Sequence, residues 1–282
     1  MSGELAFGTA GFAGSTGPAR ERTFLGASAL LFVVSAGGTI AWCGSMSGGM
    51  PMPGGWTMSM AWMRMPGQTW LGAAASFMGM WVVMMVAMML PSLVPMLSSY
   101  RRSVHGPDVA RLGGLTALAG LGYFSVWAVV GAAAYPLGVA LGAAEMRWQA
   151  LARLVPVATG VVLLFAGCLQ LTAWKARQLG RCRDAPGCGR SLPPGFRSAW
   201  RHGLRLGVQC GLCCSGFMVI LLVTGIMDLG AMALAASAIT AERLAPRPGR
   251  AARLAGVVVI AAGALMIARA LGAPWPASLM TR

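Results

Sequence analysis

Uncharged or nearly uncharged apolar runs long enough to cross a bilayer recur six times, near residues 23–42, 76–97, 113–140, 154–174, 206–228 and 254–272. The pattern predicts an all-α fold, a polytopic transmembrane helical bundle of about six spans forming one domain over residues 23–272. Ahead of it, residues 1–22 predict a disordered tail, because Gly, Ser, Ala and Thr dominate and periodic apolar content is scarce. Arg20 and Arg22 before the first run also fit the grammar of a cleaved signal peptide. No small-x-small cleavage site precedes Cys43, and the bulky Trp42 makes a poor lipoprotein box, so a retained anchor is expected.

The second span is unusual in its choice of apolar residue. Met78, Met80, Met84, Met85, Met88 and Met89 fall within twelve residues that carry no charge. On an ideal helix Met80, Met84 and Met88 lie within about 80° of one another, and Met78, Met85, Met89 and Met96 within about 40° on an adjoining strip. Val82, Val83, Val86, Ala87 and Leu93 take the other half. Two readings stand: methionine as adaptable filler between helices, or a face of soft sulfur ligands.

Residues 43–70 break the span pattern. Glycines and prolines exclude a regular helix through the first half, which predicts a loop at the membrane surface. It holds Met46 and three Met-x-Met steps, Met50 and Met52, Met58 and Met60, Met63 and Met65. Thioethers select Cu(I) and remain usable where thiols would oxidise, so the repeat points to copper. The competing reading is an interfacial segment seated by Met and by Trp56, Trp62 and Trp70.

Composition agrees with a membrane protein: 57% of the 282 residues are hydrophobic and 10% charged, against roughly a quarter charged in soluble domains. The net charge of +15 does not imply nucleic acid, because the arginines cluster between apolar runs, where they set topology and meet lipid headgroups. Six alternating spans place 14 Lys and Arg on one face and 7 on the other. The positive-inside rule then puts both termini and the basic loop 175–205 in the cytoplasm, the methionine-rich loop outside, and the chain in a cell inner membrane.

Cys210, Cys213 and Cys214 form C-x2-C-C in the fifth span, and Met218 continues their helical face. Three thiols converging from one turn suit Cu(I) in a reducing compartment. A thiol-disulfide oxidoreductase using the Cys210/Cys213 pair and simple apolar packing are the alternatives. In the basic loop, Cys182 and Cys188 with His202 either add ligands to the same site or hold a separate Zn(II), although the spacing fits no zinc pattern well. Cys43, beside the methionine-rich loop, is a weaker metal or redox candidate, and His105 reads as a solvated loop residue. Glu145 and Glu242 read as interfacial ends of spans; Asp228 does too if the fifth helix exits near Met227, and is otherwise a costly carboxylate within a span, of the kind that is often functional.

The runs MWVVMMVAMMLPSLVPML (Met80–Leu97), LQLTAWK (Leu169–Lys175) with the following Cys182-Arg183, CGLCCSGFM (Cys210–Met218) and GIMDLGAM ending towards Ala241-Glu242-Arg243 resemble a known family. It is that of the bacterial predicted metal-binding integral membrane proteins, domain of unknown function 2182, and the similarity covers roughly Leu71–Leu244. The resemblance implies a polytopic helical protein with a metal-binding, copper-associated role. Family members usually read glycine-cysteine-cysteine-tryptophan at Leu212-Cys213-Cys214-Ser215 and threonine-proline-leucine-lysine at Thr172–Lys175; these departures keep the sulfurs. With no P-loop and no DKTG sequence, the chain lacks a nucleotide-driven pump motif. The expectation is a Cu(I)-handling membrane protein that captures, relays or delivers copper, serving a copper-dependent enzyme or another copper chaperone. A structural subunit of a membrane complex is the remaining alternative.

Overall fold

The computed structural model describes residues 18–45, 49–53, 55–64, 67–104, 109–183, 193 and 195–272. Eight helices appear among them: α1 (Pro18–Ser45), α2 (Trp70–Ser103), α3 (Val109–Arg147), α4 (Gln149–Gln170), α5 (Ala173–Arg183), α6 (Phe196–Thr224), α7 (Leu229–Leu244) and α8 (Pro248–Ala270). Six of them, all but α5 and α7, are long and apolar enough to cross a membrane. The segment expected as a plain loop contains a small antiparallel hairpin, β1 (Met50–Met52) with β2 (Trp56–Met58), followed by a 3₁₀ turn at Met60–Trp62.

The helix α2 runs unbroken through Pro91 and Pro95 to Ser103, so neither proline ends it. It is the central helix. Its buried residues include Met80, Trp81, Met84, Met85, Met88 and Met89, and Trp81 donates its indole N–H to the Trp127 carbonyl of α3 at 2.8 Å. The valine side of α2 is half-buried and meets α1, where Val83 lies 3.4 Å from the Cβ position of Gly38.

Small residues set the tightest helix contacts, as expected where apolar tails are replaced by apolar side chains and close packing carries the association. A Cβ at Gly203 of α6 would overlap the Ala119 carbonyl of α3, and one at Gly207 would come within 2.8 Å of the Tyr123 carbonyl. On the other flank, Gly160 and Gly167 of α4 face Gly263 and Gly256 of α8.

Those glycine pairings fix the direction of α8. Gly256, early in α8, sits beside Gly167 near the end of α4, and Gly263 beside Gly160 in its middle, so the two helices are antiparallel. The start of α4 lies near the hairpin, where Trp56 Nε1 donates to the Ala152 carbonyl at 2.9 Å. The end of α8 therefore points to the hairpin end of the bundle. Residues near the start of α1 lie at the opposite end: Arg101 stacks its guanidinium on Phe24, and Glu21 is 3.7 Å from Arg102.

Strict alternation of six spans predicts both ends of the bundle on one face, and the structure corrects this. The cause is α7. Gly225, at φ 125°, ends α6 in a conformation that suits glycine. Asp228 then caps α7 by accepting from the Ala231 N–H at 3.0 Å. The 16-residue α7 returns along α2 and α6, so α8 starts where α4 ends.

Gly203→Ala is expected to lower the thermal midpoint of the purified protein by an overpacking cost of about 1–3 kcal/mol. Gly211→Ala, where a Cβ meets nothing within 4 Å, serves as the control. Equal midpoints for the two variants would refute the role given to Gly203.

Candidate metal centre

The face of α6 that packs inward carries Cys210, Cys213, Cys214 and Met218, all at most 6% exposed. Close approach of α3, allowed by Gly203 and Gly207, lets the Tyr123 hydroxyl donate to Cys210 Sγ at 2.9 Å. From α2, the Met89 thioether reaches to 3.9 Å from Cys210 Sγ. From α5 comes Cys182, also buried, whose thiol donates to the Gln209 carbonyl at 3.2 Å. The thiols pair, Cys210 with Cys214 and Cys182 with Cys213. Contact with Cys213, together with burial, pushes the Cys182 thiol up, which favours its protonated form.

Of the two readings of Cys182, geometry brings it to the α6 cysteines. His202 goes elsewhere: its ring stacks on Tyr100 with centroids 4.8 Å apart. Cys188 lies outside the described residues, as do Met46, Met65 and His105. Among the described residues, no three side chains drawn from His, Cys, Asp and Glu are already grouped to hold an ion. The sulfur assembly is thus two thiol pairs beside a thioether, a set of soft donors.

Charged residues surround these sulfurs in a way the sequence did not disclose. Glu242 is not an interfacial end. Its carboxylate is buried 2.7 Å from Lys175 Nζ and accepts from Gln170 Nε2 at 3.0 Å. Lys175 also donates to the Cys213 carbonyl at 2.6 Å. With each side chain only 3% exposed, this pair sits where desolvation is severe, and both members need their extra hydrogen bonds. Next to it Arg243, 6% exposed, lies 3.9 Å from Met96 Sδ through Nη1, while Nε and Nη2 have no hydrogen-bond partner among the described residues. The guanidinium stays charged at any ordinary pH. It stands within electrostatic range of Cys210, Cys213, Cys182 and Tyr123.

Lys175, Glu242, Arg243, Gln170, Tyr123 and Met96 are thus part of the site although residue patterning alone did not assign them to it. The legible signal was a Lys closing one apolar run and a Glu-Arg step closing another, each without a local partner.

Along α2 the methionine face is core throughout: Met80, Met84, Met85, Met88 and Met89 are at most 4% exposed. Met89 meets Cys210 at one end. The other end, about 13 Å away along the helix at 1.5 Å per residue, opens on a cleft of about 130 Å³ lined in part by Met60, Met63, Met80 and Met227. Met58 is buried in β2, whereas Met50 and Met52 in β1 face outward to differing degrees, Met50 being 39% exposed. Behind the cleft, Cys43 Sγ is 3.8 Å from Met227 Sδ. Met227, in the α6–α7 turn, had no part in the patterns above.

Fold and site together define a multi-pass helical protein with thioethers lining its central helix and thiols clustered beside it. The chain matches the copper chaperone family PpoB2 over residues 78–266, more than half its length, and belongs to that family. The matched stretch begins at the methionine face of α2 and takes in the cysteine cluster and the Lys175–Glu242 pair. No curated protein and no solved structure matches the chain.

Glu242→Gln and Lys175→Met each leave a buried charge without its partner, at a cost of about 3–5 kcal/mol. The double variant Lys175→Met/Glu242→Met removes both charges, and its thermal midpoint is expected above that of either single variant. A double variant less stable than both singles would contradict this account.

Proposed function

We propose that this chain is a membrane copper chaperone that carries Cu(I) on sulfur, holding it at the cysteine cluster and handing it to a copper-dependent protein. The observation that carries the reading is the 3.9 Å approach of Met89 Sδ to Cys210 Sγ, which joins a buried methionine face to a group of four thiols. Thioether and thiolate sulfur select Cu(I) over the harder cations. In this reading Cys210 and Cys214 are one ligand pair and Cys182 and Cys213 the other, with Met89 and Met218 beside them. Met80, Met84, Met85 and Met88 form the path from the cleft.

The membrane orientation follows from charge. With α7 returning, Arg243, Arg247, Arg250 and Arg253 join the basic loop and the start of α1 at one end of the bundle. That end is assigned to the cytoplasm by the positive-inside rule. It keeps the thiols towards the reducing side and the thioether cleft towards the oxidising one.

The buried Arg243 completes the scheme. Cu(I) held by two thiolates carries one net negative charge, and a guanidinium whose Nε and Nη2 have no hydrogen-bond partner among the described residues offsets it. For two unit charges about 6 Å apart at an effective dielectric of about 20, the attraction is roughly 3 kcal/mol, about a hundredfold in affinity.

Anaerobic Cu(I) loading followed by competition with a chromophoric chelator tests the reading. Wild-type protein should retain copper, and Cys210→Ser or Cys214→Ser should lose the tight site. No copper bound by wild-type protein would sink the proposal. A disulfide that cycles with a thiol or quinone partner would favour the oxidoreductase instead, and indifference to every cysteine replacement a structural subunit. Arg243→Gln should weaken retention by roughly a hundredfold while Arg243→Lys keeps most of it; equal loss in both would show that shape, not charge, is what Arg243 supplies.

A further inference from the structure

The cleft at the hairpin end has a composition that packing does not require. Its sulfur-bearing walls come from three separate parts of the chain: Met60 and Met63 after the hairpin, Met80 on α2, and Met227 in the α6–α7 turn. Behind this lining, the end of α1 places the Cys43 thiol 3.8 Å from the Met227 thioether. Met60 and Met63 are only half-buried, and Met80 at 3% exposure forms the floor. The lining has no carboxylate, imidazole, Lys or Arg; its polar members are Gln68 and Ser76. Such a set offers little to Zn(II), Mg²⁺ or Ca²⁺ and suits a soft monovalent cation.

The turn that delivers Met227 is itself built for position. Gly225 at φ 125° and the Asp228 cap fix the four residues between α6 and α7, so Met227 is held at the cleft by backbone geometry. The same cleft opens directly onto Met80, the first methionine of the buried α2 face.

We infer that this cleft is a second Cu(I) site, an entry site in which Met227 and Cys43, with Met60, Met63 and Met80, take the ion before it reaches the cysteine cluster. The inference rests on the copper reading above, and it adds a site that lies mostly outside the stretch matched to the family. Neutral thioethers hold the ion loosely, and the thiols about 13 Å further along α2 hold it more tightly. The difference gives the ion a reason to move inward without an energy source.

The test separates the two sites. In a variant with Cys182, Cys210, Cys213 and Cys214 all replaced by serine, one weak equivalent of Cu(I) or Ag(I) should remain, and adding Met227→Leu with Cys43→Ser should abolish it. Wild-type protein gives a second measurement that does not depend on that variant folding. Excess Ag(I) should slow peroxide oxidation of Met60, Met63 and Met227 severalfold, read by mass spectrometry of peptides, with the half-exposed Met146 as control. Unchanged oxidation rates at those three residues would overturn the entry site. If wild-type protein loads copper at the cysteines and Ag(I) shields none of the three, the entry site fails and the chaperone reading stands. If wild-type protein binds no copper at all, both fall.

Discussion

The buried ion pair between Lys175 and Glu242 is the interaction on which the inner half of the site depends. It joins the first turn of α5 to the last turn of α7, and through Gln170 and the Cys213 carbonyl it also grips α4 and α6. Placing two charges in a low-dielectric interior is costly unless each is held by the other and by further hydrogen bonds. Here each has one additional polar partner. The constraint is directional: Glu242 can reach Lys175 only if α7 runs back along the bundle, and that return also delivers Arg243, the next residue, to the sulfurs.

Much of the architecture was legible in the sequence because membrane helices advertise themselves by length and hydropathy. All six long helices and the buried methionine face of α2 follow from where apolar residues fall. The short return helix was not legible for the same reason. At 16 residues, ending in Glu242 and Arg243, α7 is too short and too polar to register as a span, and its charges read as a loop at the surface. That one omission reversed the direction of α8 and placed four arginines on the wrong side of the count. Restoring α7 makes the charge asymmetry of the two ends steeper, which is the result expected if arginine placement reflects topology.

The site was legible in its sulfurs and hidden in its charges. Cys210, Cys213 and Cys214 share a helical face by spacing alone, but the approach of Cys182 depends on how α5 folds back against α6. Tyr123 is 87 residues from Cys210, and only the close α3–α6 contact at Gly203 and Gly207 brings its hydroxyl to the thiol. Such meetings follow from glycines that permit contact, and a glycine in a membrane helix does not say which neighbour it admits.

Arg243 presents the sharpest physical question in the fold, since a buried cation needs an opposing charge and the one nearby carboxylate is already bound to Lys175. The groups left within its reach are thiols and a phenol. Protonated, they give the guanidinium only weak acceptors; as thiolates on the proposed Cu(I), they would give it a full opposite charge. Under the copper reading proposed above, a monovalent metal held by two thiolates would balance Arg243: cation plus anionic complex sum to zero. A divalent ion on the same two thiolates would be neutral and leave Arg243 uncompensated. In the proposed reading, charge balance thus favours the same monovalent ion that sulfur softness favours, by a separate physical route.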